Sequence, residues 1–181
     1  MKRIVVIGPE STGKSTLSEQ LAAHFNTEWV REYAREYLEN LSIIRPYEQG
    51  DLLTIAKGQL EQEDNTASRA NGLIFCDTDL QVIKVWSEAK YGECDPRILE
   101  MIAARQYDLY LLTYIDIPWT DDPLREHPHP SEREYFYNIY RDIVVNSGIP
   151  WADIRGDYEQ RLKTAVEAVE HMLNPAMESG K

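Results

Sequence analysis

Near the N-terminus, Gly8-Pro9-Glu10-Ser11-Thr12-Gly13-Lys14-Ser15 matches the pattern G-x-x-x-x-G-K-[ST]. Glycines let such a loop fold its backbone N–H groups around phosphate oxygens, and the lysine brings a point charge to the β- and γ-phosphates. The chemistry implied is binding of ATP with Mg²⁺ through Gly8, Glu10, Ser11, Thr12, Gly13, Lys14, Ser15 and Thr16, with Ser15 as a metal ligand.

Farther along, the apolar run Leu73–Cys76 ends in Asp77-Thr78-Asp79. P-loop proteins hold Mg²⁺ with an acidic group at the end of such a strand, so one of the two carboxylates is expected to take the metal, with Asp77 set beside Ser15. Residues two apart share a face of an extended segment, which leaves the other to orient or deprotonate an acceptor hydroxyl; Asp79 as a helix N-cap is the competing reading. Arg31, Glu32 and Arg35 follow the second strand. There Glu32 is expected to accept hydrogen bonds from a sugar while an arginine meets phosphate, against the alternative of a solvated helix face.

Asp116–Pro130 is rich in proline and charge and predicts a lid. Either Arg125 inside it or Arg133 just beyond is expected to neutralise charge on the transferred phosphoryl group, unless paired to Glu126 or Glu132. Of the aromatic residues Trp29, Tyr33, Trp86 and Trp119, the last is the expected ligand contact because its loop is otherwise polar. His127 and His129, in His-Pro-His-Pro, read as exposed lid residues and not as metal ligands. The catalytic set is then Lys14, Asp77, Asp79, Arg125 and Arg133, and the substrate set Arg31, Glu32, Asp79 and Trp119.

Alternating strands and helices must position these groups. Apolar runs predict strands at Ile4–Ile7, Glu28–Val30, Leu73–Cys76, Leu109–Ile115 and Trp151–Ile154. Helical spacing links them: Leu17, Leu21, Ala22 and Phe25; Arg31–Leu41; a longer helix from Pro46 in its first turn to about Arg69; and a largely buried helix marked by Val82, Ile83, Val85, Trp86 and Ala89. Then come a helix capped by Asp95-Pro96, one opened by a Ser131/Glu134 capping box and ended by Gly148, and a closing helix to Leu173. This order predicts an α/β protein of the P-loop NTPase type, three layers α/β/α around a five-stranded parallel sheet, with ligands at the C-terminal strand ends. Residues 1–173 make one kinase-sized domain and 174–181 a frayed tail.

The formal net charge is −12 and the 31 acidic residues are spread along the chain, which repels a phosphate backbone, so no nucleic-acid partner is expected. Cys76 and Cys94 have no metal or disulfide spacing, and four apolar residues before Gly8 are too few for a signal peptide. The expectation is a cytoplasmic protein with no membrane segment and with nucleotide and small-molecule partners. No Asn-Lys-x-Asp guanine-recognition segment is present, which disfavours a GTPase.

From Arg3 to Leu173 the sequence resembles the ribosylnicotinamide kinase domain of the NadR family, a P-loop nucleoside-kinase-like group. The likeness rests on Gly8–Thr16, Trp29–Glu36, Phe75–Asp79, and Asp121-Asp122-Pro123-Leu124-Arg125 followed by Arg133. Pro9 and Pro123 depart from it, standing where glycine is expected, and no adenylyltransferase domain precedes Met1. The resemblance implies transfer of phosphate from ATP to the ribose 5′-hydroxyl of nicotinamide riboside, giving nicotinamide mononucleotide. A kinase for another nucleoside or small metabolite, and an ATP-binding regulator that transfers nothing, are the rival readings.

Overall fold

Four consecutive apolar residues, Ile4 to Ile7, need cover on both sides, because successive strand residues face opposite ways. In the computed structural model, which describes residues 1–42 and 45–175, all four are fully buried and their strand β1 (Lys2–Ile7) is the middle of the sheet. It pairs in parallel with β3 (Leu73–Asp77) on one side and β4 (Leu109–Thr113) on the other, Ile4 lying opposite both Phe75 and Leu109. β2 (Glu28–Val30) flanks β3 and β5 (Trp151–Ile154) flanks β4, giving a five-stranded parallel sheet in the order β2-β3-β1-β4-β5.

Ile4, Val6, Phe75 and Leu111 face one helical layer, packing on Leu17 and Leu21 of α1 (Lys14–His24) and on Ala165 and Val169 of α7 (Tyr158–Leu173). Val5, Ile7, Cys76 and Leu112 face the other, against Val85 of α4 (Leu80–Tyr91) and Tyr137, Tyr140 and Val144 of α6 (Pro130–Asn146). A further cluster joins α2 (Tyr33–Ser42), α3 (Gln49–Ala67), α4 and α5 (Pro96–Ala104) through Leu38, Leu52, Ile55, Leu80 and Ile98. This is the expected three-layer P-loop architecture, and the strand order reverses at β1, whose C-terminal end opens the crevice for a ligand.

Several boundaries differ from the sequence reading. Arg31 and Glu32 precede α2 instead of opening it. Pro46 lies ahead of α3, whose N-cap is Glu48; the Asp51 carboxylate accepts the Glu48 N–H at 2.7 Å and closes that end without proline. Ser131 is already inside α6, because Pro130 takes the first helical position and His129 the cap. β4 stops at Thr113, two residues short of the predicted end. Asn174, from the expected tail, closes α7 with its N–H on the Glu170 carbonyl, while residues 176–181 lie outside the described residues.

One contact sets the turn from β2 to α2. The Tyr33 ring packs on Gly58 of α3 so closely that a Cβ there would lie 2.1 Å from it. The Tyr33 N–H donates to Gln59 Oε1 at 2.8 Å, and Gln62 Nε2 donates to the Arg31 carbonyl at 2.9 Å. Glu32 is thereby held between two anchored neighbours.

Candidate active site

The glycine pattern is explained at Gly8 and Gly13. Gly8 has φ 150°, and a Cβ would sit 2.4 Å from Thr113 Oγ1, so only glycine lets the loop cross the end of β4. Gly13, at φ 75°, is the N-cap of α1 and offers no side chain to the helix, leaving the first-turn N–H groups for an anion. Pro9 serves through its carbonyl, which accepts Lys14 Nζ at 2.7 Å and Thr12 Oγ1 at 2.8 Å. Lys14 is thus folded onto its own loop, and burial pulls its ammonium below the ordinary value against the opposing charge of Asp77.

Ser15 Oγ donates to Asp77 Oδ2 at 2.5 Å. Asp77 is 2% exposed beneath the loop, and its Oδ1 has no hydrogen-bond partner. A buried carboxylate oxygen left unpartnered beside a serine hydroxyl fits a hard cation that takes its remaining ligands from phosphate and water.

Asp79 is turned away. Thr78 has φ 70°, a left-handed step that breaks the extended segment on which the shared-face argument depended. The Asp79 carboxylate instead caps α4, accepting the Gln81 N–H at 3.0 Å and the Tyr110 hydroxyl at 2.8 Å. Burial first, and then Glu63, push its pKa up to about 7. It lines a separate cavity of about 200 Å³ with Arg105, Tyr107 and Tyr110.

The main cleft, about 340 Å³, is the size of a small-ligand site. The loop from Gly8 to Thr16 forms its floor, and Glu32, Arg35 and Leu38 stand on one wall. Burial, and next the neighbouring Asp77 charge, raise the Glu32 carboxyl above its usual range, with Lys14 opposing. Arg31 is exposed outside the cleft with its guanidinium over the Trp29 ring, so Arg35 is the arginine of that segment that faces the site. Val82, Val85, Trp86 and Ala89 of α4 form the apolar wall with Phe136 and Tyr140. Trp86 is therefore the cleft tryptophan, its indole N–H on the Tyr47 hydroxyl at 2.9 Å; the 82/85/86/89 spacing marked one helix face and was the signal for it.

Segment 116–129 covers the loop. Glu10 accepts the N–H groups of Glu126 and His127 at 3.0 and 3.1 Å, and Ser11 Oγ accepts the Thr120 N–H at 2.9 Å. Asp122 accepts Leu124 N–H and Arg35 Nη1, both at 2.9 Å, and Arg125 N–H bonds the Asp122 carbonyl. Pro123 stands at the second position of that turn, which proline favours and which needs no glycine. Arg125 and Arg133 both line the cleft; Trp119 does not, and its indole N–H donates to Asp121 at 2.9 Å. Arg161 of α7, which no motif marked, is 2% exposed and donates to the carbonyls of Thr12, Gly156 and Tyr114 and to Asp116.

The family model AAA_28, an AAA domain, matches residues 3–161. The chain belongs to the AAA domain family. Within it, this AAA domain is 30% identical over 178 residues to the trifunctional NAD biosynthesis/regulator protein NadR of Escherichia coli, covering 96% of the chain and 43% of that relative. A crystal structure of NadR in complex with NR superposes with a TM-score of 0.78 at 26% identity, over 94% of this chain and 51% of the other. A second, of NadR with NAD and AMP-PNP, superposes with a TM-score of 0.76 at 26% identity, over 94% and 49%. The AAA domain thus spans about half the length of the relatives it matches.

Proposed function

We propose that this chain is an ATP- and Mg²⁺-dependent kinase that phosphorylates the 5′-hydroxyl of nicotinamide riboside to give nicotinamide mononucleotide. One observation carries the reading: the cleft brings together a phosphate loop with Lys14, a carboxylate at Glu32, Arg125 from the lid segment and Arg133 from α6. The likeness to NadR bound to NR, and to NadR bound to AMP-PNP, supports the acceptor and the donor.

ATP binds with its phosphates over the loop N–H groups, and Lys14 leaves the Pro9 carbonyl for phosphate oxygen. Ser15 and Asp77 would hold Mg²⁺, which would supply charge neutralisation on the phosphates. Glu32 accepts the proton of the acceptor hydroxyl, whose oxygen bonds to the γ-phosphorus as the bond to ADP breaks. Burial and the neighbouring Asp77 charge raise the Glu32 pKa, which makes it a stronger proton acceptor than an ordinary carboxylate. Arg125 and Arg133 stabilise the equatorial oxygens of the transferring group. The use of ATP as donor supports a cytoplasmic setting.

The apolar and aromatic wall, in a cleft that also carries the Glu32 carboxylate, suits a base carrying a fixed pyridinium charge. The test is phosphoryl transfer from ATP to nicotinamide riboside and to uridine under identical Mg²⁺. A much higher kcat/KM for the riboside is expected; equal values would move the assignment to a broad nucleoside kinase, and bound ATP with no transfer to either would make the chain a regulator.

A further inference from the structure

Two arginines, Arg125 and Arg133, bring like charges together over the phosphate loop. Arg133 is 5% exposed, its Nη2 donates to the carbonyls of Ser11 and Ile117 at 3.0 and 3.3 Å, and its buried Nε has no partner. Arg125 donates to Ser11 Oγ at 3.4 Å and to the Thr120 carbonyl. Among the described residues neither guanidinium makes an ion pair with a carboxylate. Arg125 repels Arg133, and burial of Arg133 with no direct ion pair adds to the cost, which Asp116 and Glu10 offset only from a distance. Besides Ser11 they share an aromatic ring: the Cζ atoms of Arg125 and Arg133 lie 5.8 and 5.6 Å from the centroid of Trp119. That separation is within the range of cation–π attraction, which offsets repulsion without using up hydrogen-bond donors as a carboxylate would. The ring itself is fixed by its N–H on Asp121.

The geometry points to Trp119 as the positioning residue that holds Arg125 and Arg133 together as an anion receptor for the triphosphate, without itself touching donor or acceptor. This deepens the kinase reading and rests on it for the catalytic effect, but the anion-binding part stands without it. A carboxylate in place of the ring would pair with the arginines and compete with phosphate, whereas an aromatic face leaves their N–H groups free.

The experiment compares the wild type with Trp119→Phe and Trp119→Leu in three measurements: steady-state kinetics, and calorimetric binding of inorganic tripolyphosphate and of adenosine. Loss of the ring face in Trp119→Leu is expected to lower kcat and tripolyphosphate affinity about tenfold each, with acceptor KM and adenosine affinity little changed. Trp119→Phe retains a ring face and is expected to recover most of both. Equal losses in the two variants, or weakened adenosine binding with tripolyphosphate binding intact, would overturn the proposal, the second by showing that the ring meets the base. If Trp119→Leu does not fold, site-specific fluorination of the indole keeps its shape and withdraws charge from its face. Tripolyphosphate affinity should then fall stepwise with fluorine number, and a flat series overturns the idea. A wild type that transfers no phosphate to any nucleoside defeats the kinase reading, while the tripolyphosphate series still decides the role of Trp119.

Discussion

Lys14 rests on the Pro9 carbonyl inside a buried loop, so phosphate has only to replace one oxygen with another for the charge to reach its working place. Lys14→Ala is expected to slow phosphoryl transfer by about 10²-fold or more, the usual effect of removing one preorganised charge. Asp77 and Asp79, two residues apart, should behave quite differently. Asp77→Asn should raise the Mg²⁺ concentration needed for half-maximal activity, because its free Oδ1 is the oxygen offered to the metal. Asp79→Asn should leave that concentration at the wild-type value, since its carboxylate is committed to Gln81 and Tyr110. A metal titration on the two variants decides. Glu32→Gln should lower kcat by about 10²-fold or more while ATP still binds, the scale of a lost general base.

The elements show which parts of this arrangement a sequence can carry. β2 has the predicted bounds, and all five strands stand where they were expected; for β1, β3 and β4 the reason is burial on both faces, which writes a continuous apolar pattern. The phosphate loop was equally legible, since its glycines answer to backbone geometry at Gly8 and Gly13. What stayed hidden were single torsions and tertiary partners: the left-handed Thr78, which divides Asp77 from Asp79, and Gly58, which reads as a weak point in a helix until Tyr33 is seen against it. Gly58→Ala should therefore destabilise the fold by about 1–3 kcal/mol, as overpacking does, and raise acceptor KM as the β2–α2 turn shifts. Denaturant midpoints and KM together test it. The N-terminus of α3 carries its own signature: hydrogen bonds from Arg45, with the Glu48 N–H and the Tyr37 hydroxyl, hold the Asp51 carboxyl below its ordinary 3.8. Asp51 thus stays ionised in the folded chain where the unfolded chain would bind a proton, so its stabilisation is complete above about pH 4 and is lost as pH falls through the folded value. Asp51→Asn should be less stable than wild type at neutral pH, with the gap closing in acid.

For the whole molecule the telling side chain is Arg161, which joins the phosphate loop, the foot of the lid segment and the turn after β5. Arg161→Met leaves buried carbonyls and a carboxylate without their donor, at a cost on the order of 3–5 kcal/mol, which for a chain of this size is a fall of roughly 6–20 °C in Tm. The same side chain has a meaning for how the protein is made. A ribosome delivers residues 8–15 well before Arg161, and β1 emerges long before β3 and β4, its neighbours on either side. The nascent loop therefore has its residues without the brace that shapes it, and nucleotide capture waits on the emergence of α7. In stalled ribosome complexes, a non-hydrolysable ATP analogue should protect from protease only those chains whose α7 has cleared the exit tunnel.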